Sequence, residues 1–120
     1  MLKVLVVDDD PLVTSSIQRV LGHMYDVSTE TDVARAVSRL DMERFDVVVC
    51  DGQLPGRDGL EVLRAVRVRE HSNRTLVILA SGAEATEAEQ LAADGILLKP
   101  FGAGELRALI ASLVDQSSAA

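Results

Sequence analysis

Cysteine, aromatic residues and lysine are all scarce in this chain. Its 120 residues include one cysteine, no tryptophan, one tyrosine, two phenylalanines and a net charge of -7. A single cysteine rules out a disulfide within these residues and suits a reducing cytoplasm. So few aromatic rings leave no stacking platform for nucleic-acid bases, and the negative charge argues against gripping a phosphate backbone. We therefore expect no direct contact with nucleic acid.

Long apolar runs are also missing. The longest apolar run has only the length of a strand, far short of a membrane span. The first residues lack the basic start and long apolar stretch of a signal peptide. These absences predict a cytoplasmic protein that makes no membrane contact.

The composition is that of a globular chain. Hydrophobic residues make up 48% and charged residues 26% of the sequence, which is typical of a folded domain. The length fits one domain with a real core. We expect a single domain over residues 1–120, in which residues 115–120 are a polar tail that is either a free terminus or the start of a linker.

Strand-like and helix-like segments alternate along the chain. Apolar runs predict strands at residues 3–7, 25–29, 46–50, 76–80 and 96–98. Helical spacing of apolar residues predicts helices between them, the first from Pro11 to Gly22, the third at about 60–70, the short fourth at about 84–93, and a fifth that buries Leu106 and Ile110. Such alternation predicts an α/β fold with a doubly wound parallel sheet. Five strands, with acidic residues after the first and the third, favour the flavodoxin-like order 2-1-3-4-5.

Acidic, hydroxyl and basic side chains follow the predicted strands, at the edge where such folds carry their chemistry. In chain order they are Asp8, Asp9 and Asp10 after the first strand, Asp51 after the third, Ser81 after the fourth and Lys99 after the fifth. In the predicted strand order, the acids after strands one and three face one crevice.

Three close carboxylates repel one another unless a cation neutralises them. Oxygen ligands without histidine or cysteine select Mg²⁺, Mn²⁺ or Ca²⁺ over zinc, and Mg²⁺ leaves one carboxylate free to react. Asp51 is then a candidate nucleophile that forms an acyl phosphate. Lys99 would neutralise one phosphoryl oxygen, and Ser81 would donate a hydrogen bond to another.

Simpler explanations exist for single residues. One aspartate of the first group could cap the first helix, although one is enough for that purpose. Asp51 and Ser81 each precede a glycine and could be ordinary turn residues. Lys99 could be a surface lysine, and Cys50 fits the core as a small buried hydrophobe.

Four short motifs together resemble the receiver domain of two-component response regulators, the CheY-like fold. The resemblance covers essentially the whole chain. Any one motif is weak, but four in this order at compatible spacing are highly specific. The motifs span residues 6–11, 51–59, 81–82 and 98–101.

The resemblance implies a role for each residue of the edge. It implies that Asp51 accepts a phosphoryl group from a phosphohistidine on a sensor histidine kinase or phosphotransfer protein. Mg²⁺, or Mn²⁺ in its place, would be bound directly by Asp9, largely through water by Asp8, by Asp51, and by the backbone carbonyl of Gln53. Ser81 and Lys99 would respond to the phosphoryl group, and the peptide before Pro100 would be cis. Such a domain is not an enzyme beyond its own phosphoryl transfer and dephosphorylation.

The chain departs from the family pattern at three places. Ile96 stands where the family usually carries an aromatic residue that swings inward on phosphorylation, and isoleucine has no polar tip to swing. The stretch from Ser81 to Lys99 is about one helical turn shorter than usual. Gly82 replaces the usual alanine, which predicts a looser loop after the fourth strand. We therefore expect an atypical output.

Gln53 suggests a short phosphoryl lifetime. It lies two residues after Asp51, beside the expected path of attacking water. We hypothesise that its amide orients that water, while the small Ala83 leaves the approach open.

Three rival functions remain open at this point. A haloacid dehalogenase-type phosphatase would use Asp8 as nucleophile and Asp10 as acid, but it would leave Asp51 unexplained. A nucleotide-binding module would need a glycine-rich turn after the first strand. A receiver-like interaction module that takes no phosphate is the third alternative, and Ile96 is its main support.

Overall fold

The computed structural model describes residues 1–54, 57–58, 60–69, 75–82 and 93–118. Its strands are β1 (Lys3–Val7), β2 (Asp26–Glu30), β3 (Val47–Asp51), β4 (Gln53–Leu54), β5 (Arg57–Asp58), β6 (Leu76–Ser81) and β7 (Gly95–Leu98). Its helices are α1 (Pro11–Leu21), α2 (Val33–Met42), α3 (Leu60–Arg67) and α4 (Ala103–Ser118). None of these described helices has the length and apolar character needed to cross a membrane.

A five-stranded parallel sheet forms the centre of the fold. Its strands follow the order β2-β1-β3-β6-β7, and all four neighbouring pairs are parallel. Because β6 and β7 are the predicted fourth and fifth strands, this is the predicted order 2-1-3-4-5. The flavodoxin-like fold is therefore confirmed. Since β1 and β3 are neighbours, the residues that follow them meet at one edge of the sheet.

The core has two layers, one on each face of the sheet. Successive side chains of a strand point to opposite faces. Leu5 and Val7 therefore pack with residues of α2 and α3, whereas Val4 and Val6 pack with residues of α1 and α4. The near-continuous apolar runs of β1, β3 and β6 are explained by this burial on both faces.

Aspartates begin two of the helices. Asp10 caps α1, where its carboxylate accepts a hydrogen bond from the amide of Leu12. Asp32 caps α2 by accepting from the amide of Arg35. Gly22 ends α1 in a right-handed conformation, and a Cβ there would lie only 2.6 Å from the carbonyl oxygen of Gln18. Close approach, and not a left-handed turn, accounts for glycine at this position.

Several predicted boundaries need correction. The β2 strand starts one residue later than predicted because the amide of Tyr25 still bonds back to Leu21 in the turn after α1. The segment after Asp51, where no strand was predicted, contains a short antiparallel pair of strands, β4 and β5. Residues 115–118 of the expected polar tail are helical and continue α4. The predicted fourth helix lies outside the described residues except for Ala93, which is not helical.

Arg69 braces the ends of α2 and α3. Its guanidinium donates to the backbone carbonyls of Leu40 at 3.1 Å and Val37 at 3.3 Å. It also bonds to the carbonyl of Ala65 in α3 and to the carboxylate of Asp41. Leu40 and Ala65 lie in the last turns of their helices, where carbonyls lack intrahelical partners, and Arg69 supplies them with donors. These contacts lie directly after the end of α3 at Arg67.

We predict that Arg69→Ala lowers the free energy of unfolding by about 2 kcal/mol, because a charged group that serves several acceptors is lost. Arg69→Lys should recover little of this, since an ammonium cannot span the two helix ends. Urea denaturation measures the change. Arg107→Ala, at an exposed position of α4, serves as the control and should be nearly neutral. A loss for Arg69→Ala no larger than that of the control would contradict the bracing role.

Candidate functional site

Three carboxylates meet at the carboxyl-terminal edge of the central strands. Asp8 follows β1 and Asp51 ends β3, and both are buried, whereas the adjacent Asp9 is exposed. One oxygen from each of the three lies within 4.8 Å of the others. The pairing of β1 with β3 places them there, since Val7 pairs with Cys50 at the last position of that ladder.

Lys99 brings a positive charge to this acidic edge. Its Nζ donates to the Oδ2 atom of Asp51 at 2.9 Å and lies 3.5 Å from Oδ2 of Asp8. The backbone amide of Lys99 donates to the carbonyl of Ser81 at 2.7 Å, which fixes the lysine at the end of β7. The peptide from Lys99 to Pro100 is cis.

Burial and charge act on the protonation of this cluster. Burial raises the pKa of the Asp8 carboxyl above its ordinary value, although the amide of Asp10 and the charge of Lys99 oppose the rise. For Lys99, partial burial alone would lower the pKa, but the hydrogen bond to Asp51 and the two carboxylate charges outweigh it, so its pKa is raised. Lys99 is thus a firmly protonated ammonium, and Asp8 is a carboxylate that benefits from more positive charge.

The three consecutive aspartates have different structural roles. Asp10 faces its own helix as the cap of α1, and it is not part of the cluster formed by Asp8, Asp9 and Asp51. Its backbone amide donates to Oδ1 of Asp8 at 2.9 Å. The amide of Asp8 in turn donates to the carbonyl of Glu30 at 3.1 Å. Asp8 is therefore held by its neighbours on both sides.

The remaining predicted site residues have different positions. Ser81 ends β6 and is buried, and a Cβ added to the next residue, Gly82, would meet nothing within 4 Å. Gln53 lies in β4, but its side chain and Ala83 fall outside what the structure describes. Ile96 is partly buried and packs on the core layer beneath α2 and α3. The position of the usual aromatic residue is thus filled by an apolar packing contact.

The donor set fits a hard divalent cation. It consists of carboxylate oxygens alone, and such ligands suit Mg²⁺ or Mn²⁺ better than zinc. Two of the carboxylates are buried, so their mutual repulsion is only partly relieved by Lys99. A cation among them would remove the rest of it.

Comparison with known proteins identifies the family. The sequence model of the response regulator receiver domain matches residues 4–111. The chain therefore belongs to the family of response regulator receiver domains, which are signalling modules. This membership and the commitment of Asp10 to its helix cap disfavour the phosphatase alternative.

Individual relatives agree with this assignment. The transcriptional regulatory protein TrcR of Mycobacterium tuberculosis is 35% identical over an alignment of 120 positions, which covers 98% of this chain and 47% of that protein. The chemotaxis response regulator CheY4 of Vibrio cholerae has a TM-score of 0.87 at 27% identity, covering 94% of this chain and 98% of that one. TrrA of Thermotoga maritima, solved in complex with Mg²⁺ and BeF, has a TM-score of 0.83 at 27% identity, covering 94% and 99%. The chain spans about half the length of the curated relatives it matches.

Some functional contacts were not anticipated from the sequence. The thiol of Cys50 donates to the backbone carbonyl of Asp51, and the amide of Gly52 donates to the carbonyl of Ala80 at 2.7 Å. Cys50 was expected to be core, and it is buried. No pattern in the sequence indicates which backbone atom its thiol would meet.

We predict that Asp8→Asn stabilises the protein in the absence of divalent cations, because it removes a buried charge among like charges. The raised pKa of Asp8 means that the folded state binds its proton more tightly than the unfolded state does. The wild type therefore loses stability as pH rises through the range between the ordinary and the raised pKa. The advantage of the variant should appear over that range and persist at neutral pH.

Mg²⁺ should reverse this order. At a concentration one hundred times its Kd, it should stabilise the wild type by about 2.7 kcal/mol and Asp8→Asn much less. Thermal melts with EDTA or Mg²⁺ measure both effects, with Asp115→Asn on α4 as a matched control. Equal responses of the wild type and Asp8→Asn to Mg²⁺ would exclude Asp8 from the cation site.

Proposed function

We propose that Asp51 accepts a phosphoryl group from a phosphohistidine on a sensor histidine kinase or phosphotransfer protein, in a Mg²⁺-dependent step of signal transduction. One observation carries this proposal. A buried carboxylate at a strand end accepts a 2.9 Å hydrogen bond from Lys99 and lies within 4.8 Å of two further carboxylates. A nucleophile, a cation site and a fixed ammonium are then combined at one edge of the sheet.

The chemical step is a phosphoryl transfer between two side chains. A carboxylate oxygen of Asp51 forms a bond to phosphorus as the bond from phosphorus to the donor's imidazole nitrogen breaks. The electron pair of that bond returns to the ring nitrogen, and because the other ring nitrogen of the phosphohistidine carries a proton, a neutral histidine leaves. The product is an acyl phosphate on Asp51, and water later attacks its phosphorus, which releases inorganic phosphate and restores the carboxylate.

Each residue has a part in this step. Asp9, Asp8, Asp51 and the backbone carbonyl of Gln53 would hold the cation, which supplies charge neutralisation for the phosphoryl oxygens when it is bound. Lys99 would move from the carboxylate of Asp51 to a phosphoryl oxygen, which needs little displacement from 2.9 Å. The hydroxyl of Ser81 would donate to another oxygen. The complex of the relative TrrA with Mg²⁺ and BeF supports the use of a cation at this type of site.

The partners follow from this function. We infer that residues 1–120 act as one receiver domain, whose partners are the phosphodonor and a divalent cation. The acidic charge of the chain makes nucleic acid an unsuitable partner for these residues. The single cysteine and the kinase partner indicate a cytoplasmic setting.

We predict that phosphoramidate or acetyl phosphate adds one phosphoryl group to the wild type in the presence of Mg²⁺, and none after EDTA. Intact-mass spectrometry measures the addition. Asp51→Asn should take no phosphate because its amide is not a nucleophile. Asp10→Asn is the matched control, since asparagine also caps a helix and Asp10 lies outside the carboxylate cluster.

The outcomes separate the alternatives. Addition to both the wild type and Asp51→Asn would refute Asp51 as the acceptor. Loss of activity in Asp10→Asn with many turnovers of a phosphomonoester by the wild type would favour the phosphatase. If the wild type takes no phosphate under any of these conditions, the remaining alternative is a receiver-like interaction module that is not phosphorylated.

We also predict that Gln53→Ala lengthens the half-life of the phosphorylated protein. The reason is the position of Gln53 two residues after Asp51, where its amide would orient the attacking water. Decay of the phosphorylated mass after removal of the donor measures the half-life. Leu54→Ala, at the next position of β4, is the control, and an unchanged half-life in Gln53→Ala would refute the role of the amide.

A further inference from the structure

Cys50 directly precedes the proposed phosphoacceptor and is fully buried in the core layer beneath α2 and α3. Its Sγ donates a hydrogen bond to the backbone carbonyl oxygen of Asp51, with a sulfur-to-oxygen distance of 3.3 Å. A thiol is a weak donor, but in a buried place its hydrogen bond faces little competition from water. The phosphoryl-transfer step described above involves the carboxylate of Asp51 and gives no role to this carbonyl.

The same peptide group is held from its other side. The amide of Gly52 donates to the carbonyl of Ala80 in β6 at 2.7 Å. A peptide group is planar, so holding both its carbonyl and its N–H fixes the orientation of the whole Asp51–Gly52 unit. That unit is the step between the end of β3 and Gln53, the first residue of β4.

We propose that Cys50 is a positioning residue for the cation site. Its thiol holds the Asp51–Gly52 peptide, from which the chain enters β4, so that the carbonyl of Gln53, the second carbonyl after that of Asp51, faces the bound cation. This inference rests on the proposed function, in which that carbonyl is a ligand. Cys50 touches neither the cation nor the phosphoryl group and acts only through the backbone.

If Cys50 has only a packing role, the order of the variants Cys50→Ser and Cys50→Val is reversed. A buried free cysteine behaves largely as a small hydrophobe, so packing alone would favour Cys50→Val over Cys50→Ser. A positioning hydrogen bond would favour Cys50→Ser, which keeps a donor, over Cys50→Val, which has none. Cys50→Ala lacks both the donor and the volume and provides the common reference.

The first experiment measures the Mg²⁺ dissociation constant by calorimetry and, separately, the free energy of unfolding without divalent cations. We expect Cys50→Ser to bind Mg²⁺ within about twofold of the wild type although it is less stable. We expect Cys50→Val and Cys50→Ala to bind about threefold to tenfold more weakly, the range of one lost hydrogen bond. A Mg²⁺ affinity that follows stability, with Cys50→Val above Cys50→Ser, would overturn the proposal.

The second experiment observes the hydrogen bond directly. The chain contains one cysteine, so a single S–H stretching band appears in its infrared spectrum. We expect this band below the frequency of a free thiol in hydrocarbon solvent, and we expect it to shift when Mg²⁺ binds. A band at the free-thiol frequency that ignores Mg²⁺ would refute the positioning role.

The two levels of inference can fail separately. If the wild type takes phosphate on Asp51 while Cys50→Val binds Mg²⁺ as the wild type does, the role of Cys50 is refuted and the proposed function stands. If the wild type takes no phosphate, the proposed function fails. The order of Mg²⁺ affinities and the S–H band then still decide the role of Cys50.

Discussion

An ammonium group among carboxylates is the interaction on which this site depends. Lys99 contacts Asp51 directly and lies near Asp8, so it neutralises part of a charge cluster that burial makes unfavourable. This contact exists only because three different strands end at the same edge. The contacts of Lys99 therefore depend on both the order and the register of the strands. A slip of one residue in β7 would turn Lys99 to the other face of the sheet.

The two ends of the sheet serve different purposes. At the carboxyl-terminal end, charges of like sign lie close together, and Lys99 offsets only part of their repulsion. At the opposite end, polar groups are paired and brace the fold. Arg69 joins the ends of α2 and α3, and Asp94 accepts from both Arg67 at 2.7 Å and the amide of Val77 at 2.8 Å. Stability gained at the braced end offsets the electrostatic cost of the reactive end.

The sequence predicted the parts of the fold that periodicity and strand-end chemistry control. The sheet order followed from alternating segments and from acids after the first and third strands. Contacts between distant backbone atoms could not be predicted. The β4–β5 pair depends on the geometry of two-residue strands, and the brace by Arg69 depends on where two helix ends meet. The extension of α4 through polar residues reflects tertiary packing of its earlier turns, which overrides weak local preference.

The hydrogen bond from the amide of Asp10 to the carboxylate of Asp8 makes the start of α1 and the acidic cluster a single mechanical unit. The residue that caps the helix also orients a predicted cation ligand, so the occupancy of the cluster and the fraying of the first helical turn cannot vary independently. Local opening of α1 would release Asp8 before the sheet itself came apart. A cation held by Asp8 would therefore also oppose fraying at the start of α1.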